Sequence, residues 1–98
     1  MLAEFSIYPL DDAHLSKDIA RVVDLLDNSG LNYRLGPTST SIEGDWDDVL
    51  GVIRHCHQIV ADAGHSRVVT NIMVDDRRDG GHSLQAAVAR VEQHRTAL

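Results

Sequence analysis

Apolar and polar residues alternate from Leu2 to Tyr8, with Ala3, Phe5 and Ile7 on one side, Glu4, Ser6 and Tyr8 on the other, and Pro9 closing the run. A period of two predicts a half-buried strand. From Ser16 the period lengthens to that of a helix: Leu15, Ile19, Val22, Val23 and Leu26 recur at three- and four-residue steps until Asn28-Ser29-Gly30, where Gly30 is placed as a left-handed stop. "LNYRLGP" returns to alternation through Leu31, Tyr33 and Leu35, Gly36-Pro37 makes a turn, and "TSTSIE" comes back as a third strand, so the two strands form a hairpin. Beyond Gly44, the residues Trp46, Val49, Ile53, Cys56 and Val60 trace one face of a long helix that ends at Ala63-Gly64. The β-branched "RVVTNIMVDD" reads as a fourth strand. After the "RRDGGH" loop a short helix carries Leu84, Val88 and Val91 on one stripe.

The order is strand, helix, strand, strand, helix, strand, then a final helix. Each half repeats the pattern of strand, helix, glycine and strand. This predicts an α+β ferredoxin-like split βαβ sandwich: a four-stranded antiparallel sheet with two helices on one face, plus a short C-terminal helix. The helices leave the other face of the sheet open. Val68, Thr70, Ile72 and Val74 suit the helix side of the last strand, and Val69, Asn71, Met73 and Asp75 suit the open side. Such a mixed face fits a subunit interface or a ligand surface.

Ninety-eight residues with 43% hydrophobic content suit one domain spanning residues 1–98. Fifteen acidic against nine basic residues give a formal charge of −6, and no Lys or Arg run could neutralise a phosphate backbone. Nucleic acid is therefore not an expected partner, and the first and third strands lack the paired aromatics of an RNA-binding sheet. No apolar run approaches a bilayer span, the amino terminus has no basic n-region, and Cys56 is the sole cysteine. The expectation is a cytoplasmic protein that makes no use of a membrane.

Candidate chemistry is sparse. Glu43 ends the third strand just before Gly44, and the following helix already has Asp45 at its N-cap with Asp48 three residues on, so capping that helix does not need Glu43. Pointing opposite to Ile42, Glu43 is expected on the open face near Ser41 and Ser39. Trp46 begins the helical stripe, where a tryptophan packs in a core or an interface. The run His55-Cys56-His57 is no metal site, because consecutive helical residues point about 100° apart. His65 and His82 carry no metal-ligand spacing. The acids and arginines of "DDRRDGG" read as surface ion pairs. No phosphate loop followed by Lys-Ser or Lys-Thr and no nucleophile elbow is visible, so hydrolytic or phosphoryl-transfer machinery is not expected. A small enzyme using Glu43 as a base with Asp75 or Arg77 is the least favoured reading, and the chain is not read as an enzyme.

Taken together, "AEFSIYPL", "NSGLNYRLGPTSTSIEGDWDDV", "IRHCH" and "RVVTNIMVDDRR" resemble the small thiamine-binding protein family, which is related to the larger YkoF protein. The resemblance covers nearly the whole chain. The strand-turn-strand-helix block with "EGDWD" is its most specific part. It departs from the family pattern at "PTST" and in the "GG" of the last loop. Membership implies a ferredoxin-like fold, assembly into homodimers or homotetramers through the sheets, and non-catalytic binding of thiamine or its hydroxymethylpyrimidine moiety for storage, sensing or delivery. Neither a resident cofactor nor a metal is implied.

Thiamine combines an aminopyrimidine edge, a flat aromatic face and a cationic thiazolium, so its site should offer a carboxylate, hydroxyls or amides, and an aromatic or thioether wall. The resemblance thus singles out Ser6, Thr40, Glu43 and Asn71 as the polar set and Tyr8, Tyr33, Trp46 and Met73 as walls. Glu43 and Thr40 fall on opposite faces of a regular strand, which ranks Ser6, Glu43 and Asn71 above Thr40. The competing reading is a regulatory or assembly module whose open face binds a protein or another small molecule.

Overall fold

A computed structural model describes residues 1–11, 16–79 and 83–96. Its elements are β1 (Leu2–Pro9), α1 (Ser16–Asn28), β2 (Asn32–Leu35), β3 (Thr40–Glu43), α2 (Trp46–Asp62), β4 (Val68–Asp75) and α3 (Leu84–Thr96). The strands form one antiparallel sheet in the order β2-β3-β1-β4, the ferredoxin-like arrangement that the alternating patterns predict. Leu15, Gly80, Gly81 and His82 lie outside the described residues. Gly30 (φ 77°) and Gly64 (φ 97°) stop α1 and α2 in the left-handed region, where a side chain would be strained.

Period-two alternation in the strands and 3.6-residue spacing in the helices aim at one layer between them. Ala3, Phe5 and Ile7 of β1 and Ile42 of β3 meet Val22 and Leu26 of α1 and Val49, Ile53, Cys56 and Val60 of α2. Burial pushes the Cys56 thiol up to about 11, so this free cysteine serves the core as a small apolar residue. No helix among the described residues is long and apolar enough to cross a membrane.

Three details differ from the sequence pattern. β3 begins at Thr40, because Thr38 belongs to a tight hairpin turn closed by the Gly36 N–H on the Ser39 carbonyl at 2.8 Å. Trp46 is 46% exposed. It is the first helical residue, and a helical side chain leans toward the N-terminus, which here carries it past the last sheet pairing, Leu2↔Glu43. Of the stripe on α3 only Leu84 is buried, and Val88 and Val91 are exposed.

Candidate functional site

The unequal strand lengths shape the site. β1 has eight residues and β3 only four, so their pairing ends at Phe5↔Thr40 and the hairpin tip turns away from the rest of β1. Into this gap opens a cleft of about 510 Å³, walled by Ser16, Ile19 and Val22 of α1, by Phe5 to Tyr8 of β1, and by Leu35 to Thr40 of the hairpin. Its volume lies in the range of small-molecule sites, roughly 300–1,000 Å³. Residues from both faces of β1 line it, so the cleft wraps around the strand's free edge and reaches the open face. There a smaller hollow of about 180 Å³ shares Phe5, Ser6 and Ser39 with it and adds Glu4, Asn71 and Met73.

Ser6, Tyr8 and Thr40 therefore meet at the cleft, and Asn71 and Met73 adjoin them across Ser6. Ser6 is paired with Asn71 in register, and the Asn71 amide donates to the Tyr8 hydroxyl at 3.4 Å. Thr40 lies on the helix side of β3 and is 6% exposed; among the described residues its hydroxyl has no hydrogen-bond partner. A buried hydroxyl without a partner is costly, and one that lines a cleft is poised for a polar guest.

The other singled-out residues lie elsewhere. Tyr33 is on the helix side of the edge strand β2, where its hydroxyl donates to Asp27 and that bond raises its pKa above the usual value. Trp46 stands exposed at the start of α2. Glu43 is on the open face, as alternation predicts, but both of its oxygens are engaged. Oε1 accepts from the Asn32 amide at 2.7 Å, and Oε2 accepts from the Leu84 N–H at 3.1 Å, the first residue of α3. Glu43 is thus a helix-capping side chain after all, for α3 rather than for α2. Asp45, at the N-cap of α2, makes no side-chain cap bond.

Of the remaining histidines, His57 meets the Thr70 hydroxyl at 2.6 Å, while His55 is exposed. Arg77 pairs with Asp79 and Arg78 with Asp76, both exposed. A wider hollow of about 650 Å³ between α1 and α2, lined by Arg21, Leu25, Val52 and His55 among others, contains none of the singled-out residues.

The model of the family described as thiamine-binding protein matches residues 3–92 of this chain. The chain belongs to the thiamine-binding protein family. It is 38% identical over 88 residues to the UPF0045 protein in the glkA 3′ region of Staphylococcus xylosus, covering 86% of this chain and 82% of that one. To the UPF0045 protein YqgV of Bacillus subtilis it is 32% identical, covering 95% of both. Among solved structures, the hypothetical protein MJ1052 of Methanocaldococcus jannaschii superposes with a TM-score of 0.85 at 26% identity, covering 93% of this chain and 94% of that one. A Thermotoga maritima protein proposed to act in thiamine biosynthesis or salvage shares the fold, with a TM-score of 0.78 at 20% identity over 92% of this chain and 96% of that one.

Sequence spacing gave no sign of a second polar cluster in this family member, at the far end of β1. His65, in the α2–β4 connection, places Nδ1 3.1 Å from Asp11 and Nε2 3.0 Å from Asp18, and Asp11 also accepts from the Ser66 N–H at 2.8 Å. The clasp ties the end of β1 and the first turn of α1 to the loop before β4. Burial alone would lower the His65 pKa. The bond and charge of Asp18, then those of Asp11, outweigh it, so the net displacement is upward from 6.5. Asp11 is displaced downward from 3.8, chiefly by the Ser66 N–H.

A raised histidine contributes stability that is complete below about pH 6.5 and is lost as pH rises through its folded pKa. A depressed aspartate contributes above its unfolded value and loses that contribution as pH falls. Melting temperature followed from pH 5 to pH 9 is expected to decline across the titration of His65. In His65→Ala that decline should disappear; an unchanged profile in the variant would show that the clasp does not titrate with folding.

Proposed function

We propose that this protein binds thiamine, or its hydroxymethylpyrimidine moiety, without chemical conversion, in the cleft beside the free edge of β1. The observation that carries this reading is the buried Thr40 hydroxyl, without a hydrogen-bond partner among the described residues, in a cleft that also gathers Ser6 and Tyr8 in a chain of the thiamine-binding protein family. Ile19, Val22 and Pro37 offer apolar walls for the ring faces. Asn71, Met73 and Glu4 in the adjoining hollow offer an amide, a thioether and a carboxylate to the cationic end. Glu43, Tyr33 and Trp46 fall outside the pocket in this reading. Storage, sensing or delivery would follow from binding alone, and the Thermotoga maritima neighbour proposed for thiamine biosynthesis or salvage fits such a role. Exposed Met73, Val88 and Val91 favour self-association of the chain, as a dimer or tetramer.

Calorimetric titration of the purified protein with thiamine and with hydroxymethylpyrimidine tests the reading. Saturable binding is expected, weakened about tenfold by Thr40→Val and by Ser6→Ala, the loss of roughly one hydrogen bond each. Absence of saturable binding by either compound would leave the exposed apolar residues as the main feature of this surface and favour an assembly module.

A further inference from the structure

The free edge of β1 carries main-chain groups as well as side chains, and the ladder determines which. The Leu10 N–H donates to the Arg67 carbonyl at 2.9 Å, and the Gly44 N–H donates to the Met1 carbonyl at 3.1 Å. Hydrogen-bonded and non-bonded pairs alternate along an antiparallel ladder. With the registers Pro9↔Val68 and Leu2↔Glu43, even-numbered residues of β1 turn their N–H and C=O toward β4, and odd-numbered residues turn theirs toward β3. Ala3 and Phe5 meet Ile42 and Thr40. Ile7 is the next odd residue, and β3 has already ended. Its side chain is packed in the core, yet its N–H and C=O face the cleft, with no partner strand among the described residues.

We infer that the main chain of Ile7 reads the aminopyrimidine edge of the ligand, its N–H donating to a ring nitrogen and its C=O accepting from the adjacent exocyclic amine. This rests on the reading of the cleft as a thiamine site. The same-residue N–H and C=O of an extended strand point to one side, as does the acceptor–donor pair on neighbouring atoms of an aminopyrimidine. An added peptide strand fits the edge less well, because Pro9 has no N–H and Ile7 is left as the one complete donor–acceptor residue there. Specificity for the amine is then written in strand register rather than in any side chain. No scan of side-chain types along the sequence would find it.

Amide exchange of ¹⁵N-labelled protein, followed by NMR with thiamine and with oxythiamine, tests this. In oxythiamine a 4-oxo group and a ring N–H take the places of the amine and the bare ring nitrogen, so donor meets donor and acceptor meets acceptor. Saturation with thiamine is expected to slow exchange at the Ile7 amide at least tenfold and to leave Phe5, already bonded to Thr40, unchanged. Oxythiamine should bind at least tenfold more weakly. Saturable thiamine binding with no change at Ile7, uniform slowing along β1, or equal affinity for oxythiamine would overturn the inference while leaving the binding function standing. Failure of thiamine to bind at all would overturn both.

Discussion

Leu26→Ala is expected to lower the free energy of unfolding by about 2–5 kcal/mol, the range for emptying a well-packed leucine site. Leu26 is 1% exposed and sits with Val22 on the stripe that holds α1 to the sheet. Small domains are stable by only roughly 5–15 kcal/mol, so this single truncation removes a large share. In urea the midpoint should fall by about 1–2 M with an unchanged slope. The consequence reaches the cleft, because Ile19 and Val22 of the same helix form its wall. Ligand affinity should therefore fall in the variant even under conditions where it remains folded. A midpoint shift under about 0.5 M would mean that the surroundings collapse onto the gap and that α1 is held mainly by other contacts.

Glu43→Ala is expected to free the start of α3 and leave ligand binding intact. The carboxylate holds the Leu84 N–H and the Asn32 amide at once. Loss of a helix N-terminal acceptor costs about 1 kcal/mol, and loss of the second bond adds a fraction of that. Ser83 caps the first turn of α3 from within the same segment, accepting from the Ala86 N–H at 3.0 Å, but little else anchors the helix to the sheet: Leu84 is buried, whereas Val88 and Val91 are exposed. Hydrogen exchange in residues 84–96 should accelerate about tenfold, the equivalent of about 1.4 kcal/mol of local opening, with α2 and β1 unaffected. Glu43→Gln, which keeps a carbonyl acceptor, should give a smaller change. A tenfold loss of thiamine affinity in Glu43→Ala, with α3 still docked, would instead make this carboxylate a ligand group.

Much of the architecture was legible along the chain, because each element declares its own period. The alternation of Ala3, Phe5 and Ile7 and the 3.6-residue spacing of Val49, Ile53, Cys56 and Val60 are local patterns, and one apolar layer between sheet and helices satisfies both. The glycine stops at Gly30 and Gly64 are equally local. Faces were legible for the same reason, so Ser6, Glu43 and Asn71 share the open side as their parities require.

Which residues on that side meet was not legible. Register and loop course join positions far apart in sequence, and side-chain type does not encode them. Glu43 is placed by parity, but its role depends on where α3 returns, forty-one residues later. His65 meets Asp11 and Asp18 only because the α2–β4 loop passes the end of β1. By itself, the sequence determined the elements, the buried layer and the face of each strand residue, all set by short-range periodicity and burial. The tertiary structure alone decided that β3 stops short of β1, that Thr40 and the Ile7 main chain are left facing a cleft, and that Glu43 caps a distant helix. Strand pairing and helix docking are long-range choices, and the chain makes them only when it closes on itself.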